Sequence, residues 1–182
     1  MFRLEKVETV SFRADYAKRA DFCELFEREM KPFYLLAFLL TANHQDAEKC
    51  FAAAVDQALE EPVVFKQWAE SWVKRSLIRN AVGIVSPASI RSGGKRDLWN
   101  RAQEEAPGDN EIDAVTQLAP LERFVFVMSI LERYSIWDCS LLLCCSMKKV
   151  LQARMRALRR RSNPEARFPE LEAPVSHYVA GA

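Results

Sequence analysis

Apolar residues recur at helical rather than strand spacing along most of this chain. Phe22, Leu25, Phe26, Met30, Phe33, Ala37 and Leu40 mark one face of a helix beginning near Asp21, and Pro32 is placed to break or kink it. Asn43, followed by Asp46 and Glu48, has the pattern of an N-cap with an acidic first turn, which predicts a second helix from about His44 to Leu59, closed by Pro62. A third helix is predicted from about Phe65 to Val82, with Trp68 and Trp72 on one face and Lys74, Arg75, Arg79 and Asn80 nearby. Farther on, a short helix near Ile112 to Leu118 precedes one opened by Pro120 and running through Arg133, with Phe124, Val125, Val127, Met128 and Leu131 as its apolar side. No period-2 run argues for a strand, so the expected class is all-α.

Punctuation divides these helices into two groups. Between Ser86 and Glu111 come Pro87, Gly93, Gly94, Pro107 and Gly108 with charges of both signs and one large aromatic, Trp99, a composition that buries little. The expected organisation is therefore an N-terminal arm over 1–20, a helical domain over 21–85, a flexible linker over 86–111, a second helical domain over 112–162 and a tail over 163–182. A length of 182 residues with 49% hydrophobic content is enough for two small cores.

Charge sharpens the picture once it is divided along the chain. Residues 1–111 carry 16 basic and 18 acidic side chains, residues 112–162 carry 9 and 4, and residues 163–182 carry 1 and 3, so the net +1 conceals a +5 segment. Five cysteines without a spaced framework imply reduced thiols and a cytoplasmic protein. The longest apolar stretch, Phe33 to Ala42, is about half of the roughly 20 residues a membrane span requires, and the first residues lack a signal-peptide pattern. No phosphate loop, nucleophile elbow or His-rich dyad is present; adjacent Cys144 and Cys145 lack metal-ligand spacing. Neither an enzyme nor a cofactor, metal or small-molecule site is expected.

The basic segment has the layout of a helix-turn-helix. A short apolar helix is predicted at Ile136 to Leu143, a tight break at Cys144 to Ser146, and a longer helix from Met147 with Ser146 as its N-cap. The second helix holds Lys148, Lys149, Arg154, Arg156, Arg159, Arg160 and Arg161 and no acid, while Val150, Ala157 and Leu158 can face a core. Groove-bound helices present their N-terminal residues to base edges, which makes Met147, Lys148, Leu151 and Gln152 the base-reading candidates; the later arginines would supply phosphate affinity. The competing reading is a basic helix end that complements its own dipole or packs on an acidic partner. Trp68 and Trp72 likewise divide between core packing and stacking on unpaired bases.

Taken in order, the runs DAEKCFAAAVDQALEE, FKQWAESWVKRSLIRNAV and LAPLERFVFVMSILERYSIWDCSLLLCCSMKKVLQARMRAL resemble the extracytoplasmic-function sigma factors over roughly residues 21–160. The resemblance implies that the first two runs form region two and the last forms region four. It further implies that Trp72, Lys74, Arg75, Arg79 and Asn80 meet the downstream promoter element, that Ser146 to Arg161 meet duplex promoter DNA, and that Asp46, Glu48, Lys49, Ala52, Ala53 and Asp56 dock on core RNA polymerase. An anti-sigma protein is a further expected type of partner. The chain departs from the family at Ala52 to Ala54, which replace acidic and polar docking residues, at Cys144, where a turn glycine is usual, and at Arg154, where many members bury an apolar side chain. Three classes of function remain: a sigma factor, a stand-alone DNA-binding regulator, and a protein-interaction module using the apolar face of the alanine-rich helix.

Overall fold

The computed structural model describes residues 15–60, 62–88 and 111–162, with side chains as far as Arg160 in the final helix. Most of the expected arm, most of the linker and the whole 163–182 tail lie outside the described residues. Within them the protein is helical, with one isolated bridge between Tyr16 and Phe65 and no strand. The helices are α1 (Arg19–Thr41), α2 (His44–Leu59), α3 (Ala69–Val85), α4 (Glu111–Thr116), α5 (Pro120–Phe126), α6 (Ile136–Leu142) and α7 (Met147–Ser162). A 3-10 turn, Lys66–Trp68, leads into α3, and a π-helical stretch, Val127–Leu131, extends α5.

Local chemistry explains where these elements start and bend. Asn43 caps α2 by accepting the Asp46 N–H at 3.1 Å. Pro32 lacks an N–H and crowds the preceding turn, and α1 kinks where that strain lands, at Glu29 (φ −105°, ψ 18°). Helix α1 begins at Arg19, ahead of the expected Asp21, because the residues before it are already held. Ala17 N donates to Val64 O at 2.8 Å, Lys66 N donates to Asp15 O at 2.9 Å, and the Tyr16 ring stacks on Phe65 at 4.9 Å.

Helices α1, α2 and α3 pack against one another around fully buried Phe22, Phe33, Leu40, Leu77 and Ile78, and the Cys50 thiol donates to Leu77 O at 3.1 Å. In α5 and its π extension every residue from Glu122 to Met128 is buried. A helix buried on all sides is an interior pillar rather than a surface element. It contacts α1 as well as α7, so the two groups of helices share one continuous core among the described residues.

Arg123 joins the groups. Its guanidinium, with no surface exposed, donates from Nε to Leu40 O (3.0 Å), from Nη2 to Thr41 O (3.3 Å), and from Nη1 to Thr116 O (3.2 Å) and Leu118 O (3.3 Å). The first two acceptors are carbonyls of the last turn of α1, which have no intrahelical donor and sit at the negative end of the helix dipole. Burial pulls the Arg123 pKa down to about 10.

Candidate nucleic-acid interface

The α6–α7 pair forms from strong local signals. Ser135 caps α6 by accepting the Asp138 N–H at 3.0 Å, and its hydroxyl donates back to the Asp138 carboxylate. Helix α6 ends in two reversed bonds, Cys145 N to Ser140 O (3.1 Å) and Cys144 N to Leu141 O (3.2 Å), with Cys144 at φ 48°. This is a Schellman termination, whose left-handed position usually belongs to glycine. Ser146 then starts α7 by accepting the Lys149 N–H at 3.3 Å. The turn is fixed from beneath by fully buried Leu143.

Val150, Ala153 and Ala157 are the fully buried residues of α7 and seat it in the core. Leu158, expected to join them, is 41% exposed; Ala153 takes the position instead, because the buried face follows the 150–153–157 ridge. Cys139 of α6 lies in the same core, and burial pushes its thiol up to about 11. Arg154 is half-buried near that thiol.

The expected DNA-contacting residues of α7 divide by environment. Ser146, Met147, Lys148, Leu151, Gln152 and Arg159 are exposed, and Lys148 and Arg159 have no hydrogen-bond or ion-pair partner among the described residues. Lys149 donates from Nζ to Ala88 O at 2.9 Å. Arg156 and Arg160 converge on one nearly buried carboxylate: Arg156 Nε donates to Glu122 Oε1 at 2.8 Å, and Arg160 Nη1 lies 3.1 Å from Oε2. Both arginines fasten α7 to α5 as well as presenting charge to solvent. The Arg161 side chain lies outside the described residues.

The residues assigned to a second DNA surface on α3 are more fully committed. Lys74 sits between Glu70 (3.2 Å) and Glu132 (3.1 Å); burial pulls its ammonium down, but the two carboxylates outweigh this and hold it above its ordinary value. Arg75 pairs with Asp138 at 3.9 Å and lies near Tyr134, whose phenol is raised by burial. Asn80 exchanges hydrogen bonds with Gln57 of α2, which also accepts from the Ser76 hydroxyl. Arg79 is exposed. Trp72 is half-buried against Phe22 at 5.5 Å, as a core residue would be, whereas Trp68 stands 56% exposed, because the 3-10 turn carries it out over Phe65. Together Phe65, Trp68, Trp72, Lys74, Arg75 and Tyr134 line an open cleft.

On α2, Glu48, Lys49, Ala52 and Asp56 are exposed, while Asp46 and Ala53 are half-buried. Lys49 folds onto Asp46 at 3.1 Å. Ala47, Cys50, Ala54 and Ala58 form the buried face, so the alanine run is divided between core and surface.

No family model, curated protein or solved structure matches this chain. No helix of the described residues is long and apolar enough to cross a membrane, and no group of three or more His, Cys, Asp or Glu side chains among them could hold a metal ion.

Four residues central to this arrangement were not assigned a role from sequence: Glu122, Arg123, Glu132 and Asp138. A signal existed for the first two, since adjacent opposite charges inside the apolar run Leu121 to Met128 must be paired or solvated. The ion pairs of the other two carried none, because their partners on α3 are distant in the chain.

Proposed function

We propose that the protein is a non-enzymatic, cytoplasmic, sigma-like transcription initiation factor, with α6 and α7 binding duplex promoter DNA. The observation that carries this reading is the capped α6–turn–α7 unit, which holds Lys148, Gln152 and Arg159 outward on one face of a helix anchored by Val150, Ala153 and Ala157. In this reading residues 21–85 and 112–162 are the two functional units, the exposed α2 face of Glu48, Lys49, Ala52 and Asp56 docks on core polymerase, and an anti-sigma protein is a possible regulator of that docking.

The test is titration of labelled duplexes at several salt concentrations. Replacing Lys148 and Arg159 with alanine should weaken binding to all sequences and reduce the salt slope by about one per lost phosphate contact. Gln152→Ala should change sequence preference by about 1–3 kcal/mol at one base position. Unchanged affinity and slope in the double variant would remove the DNA-binding role.

One observation favours a second reading, a stand-alone helix-turn-helix regulator. Lys74 and Arg75, which a sigma factor would need at its second promoter contact, are paired with Glu132 and Asp138. Co-sedimentation with core polymerase decides: absence of association at every salt concentration, with duplex binding intact, selects the regulator.

A further inference from the structure

The open cleft between α3 and the α5–α6 connection lies where the two groups of helices meet, and its volume is about 600 Å³. That size is within the range of small-ligand sites, which concentrate at such junctions. Its wall is built around aromatic rings. Trp68 is 56% exposed and is braced edge-on by Phe65 at 5.0 Å, which in turn stacks on Tyr16 at 4.9 Å, so the indole is held out as a supported face. Trp72 and Tyr134, both half-buried, line the same cleft, and Val63, 86% exposed, adds apolar surface beside them. A planar ring entering this cleft gains both burial and stacking.

Charge selects what else the ligand must carry. Of the cations that line the cleft, Lys74 is held by Glu132 at 3.1 Å and Arg75 by Asp138 at 3.9 Å. Arg133 is exposed, and its guanidinium has no hydrogen-bond or ion-pair partner among the described residues. It also sits on backbone that favours glycine: Arg133 has φ 58° at the end of the π stretch, where Tyr134 N closes back on Met128 O at 2.9 Å. A large side chain kept in that conformation is the kind of strain that clusters at ligand clamps. A guanidinium matches a carboxylate or phosphate with two parallel hydrogen bonds. A nucleic-acid strand fits less well, because it needs a run of free cations along its backbone and would here meet Glu132 and Asp138 instead.

We infer that this cleft binds a small planar aromatic anion, with the ring against Trp68 and the carboxylate or phosphate on Arg133. The ligand would touch α3 and the α5–α6 connection together, and so bridge the two groups of helices. The inference uses no residue of α7 and does not depend on DNA binding there.

Equilibrium dialysis of the full chain against adenosine monophosphate and against indoleacetate tests the site and separates a phosphate ligand from a carboxylate one. Adenosine and acetate serve as the ring-only and anion-only controls. At least one of the two aromatic anions should bind with a Kd below about 1 mM, and at least about tenfold more tightly than either control. Trp68→Ala and Arg133→Gly should each weaken that binding at least about tenfold. Arg133→Gly also guards against a trivial loss through unfolding: glycine relieves the backbone at φ 58°, so the variant should melt no lower than the parent while it binds less. Arg133→Lys should keep part of the affinity, because the charge remains and the fork is lost. Failure of both aromatic anions to bind below about 1 mM would overturn the inference, as would binding that survives either Trp68→Ala or Arg133→Gly. If a short oligothymidylate binds in a manner that depends on Trp68 and Arg133 while neither small anion does, the occupant is a single strand, and the inference is likewise overturned.

Discussion

Replacing Arg123 with methionine keeps most of the side-chain volume and removes the guanidinium from four main-chain carbonyls. Neutral hydrogen bonds contribute about 1 kcal/mol each and bonds to a charged donor about 1.5–3, while each buried acceptor left without a partner costs about 1–3 kcal/mol. Some of this is offset, because the parent carries the penalty of burying a cation and methionine does not. The bonds to Thr41 O, Thr116 O and Leu118 O, at 3.3, 3.2 and 3.3 Å, are near the weak end of the range, so the largest single share of the loss falls at Leu40 O, held at 3.0 Å. The expected net destabilisation is about 3–5 kcal/mol, a large part of the stability of a chain this size. Urea unfolding followed by circular dichroism measures it. Because Arg123 joins the α1–α3 group to the α4–α7 group, the single transition of the parent should broaden or split in the variant. Arg123→Lys should recover only part of the loss, since an ammonium cannot address carbonyls on both sides in a fixed fork. A loss below about 1 kcal/mol with one unchanged transition would refute the joining role.

Other outcomes follow from particular contacts. Cys144→Gly should stabilise by about 0.5–1 kcal/mol in thermal or urea unfolding, because φ 48° is unstrained only for glycine, whereas Cys144→Val should destabilise. The Cys50 and Cys139 thiols are raised from 9.0 to about 11 by burial, so the folded state retains their protons longer than the unfolded chain does; their contribution is complete below pH 9 and is lost as pH rises from 9 to about 11. Unfolding midpoints from pH 8 upward should fall through that window, and less so in a Cys50→Ala/Cys139→Ala variant. A double-mutant cycle on Lys74 and Glu132 should give a coupling of about 0.5–1 kcal/mol, the worth of a partly exposed pair. On α2, Ala52→Arg should reduce core-polymerase association at least about tenfold if the exposed face docks there, with folding unchanged because Ala52 is exposed.

Helix limits were largely legible because they depend on near neighbours. Asn43 and Ser146 act as caps where their spacing to the next helical residues predicts, and Pro32 kinks α1 rather than ending it, because Phe33, Leu36 and Ala37 beyond it continue the buried stripe. The π stretch after α5 was not legible: widening a turn depends on what surrounds Val127 to Leu131, and local propensity is silent on that. At the candidate interface, sequence located the cations but not their occupation. The net +5 of residues 112–162 counts Glu122, Glu132 and Asp138 only as subtractions, whereas folding sets them against Arg156 and Arg160, Lys74, and Arg75 respectively. Trp68 and Trp72 share a spacing and still differ in burial, because Trp68 falls in a 3-10 turn ahead of α3.

The pillar formed by α5 sets a clock for the rest of the molecule. Residues Phe124 to Met128 are buried on every side, so isotope exchange of their amides should require the core to open as a whole, at a free energy close to the global one. The short helix α6, seven residues with Trp137 and Leu141 facing water, should exchange through a smaller opening of its own. The gap between those two rates measures how far the α6–α7 pair can loosen while the body stays folded. That freedom would let α7 adjust its seat against a ligand without unfolding the helices behind it.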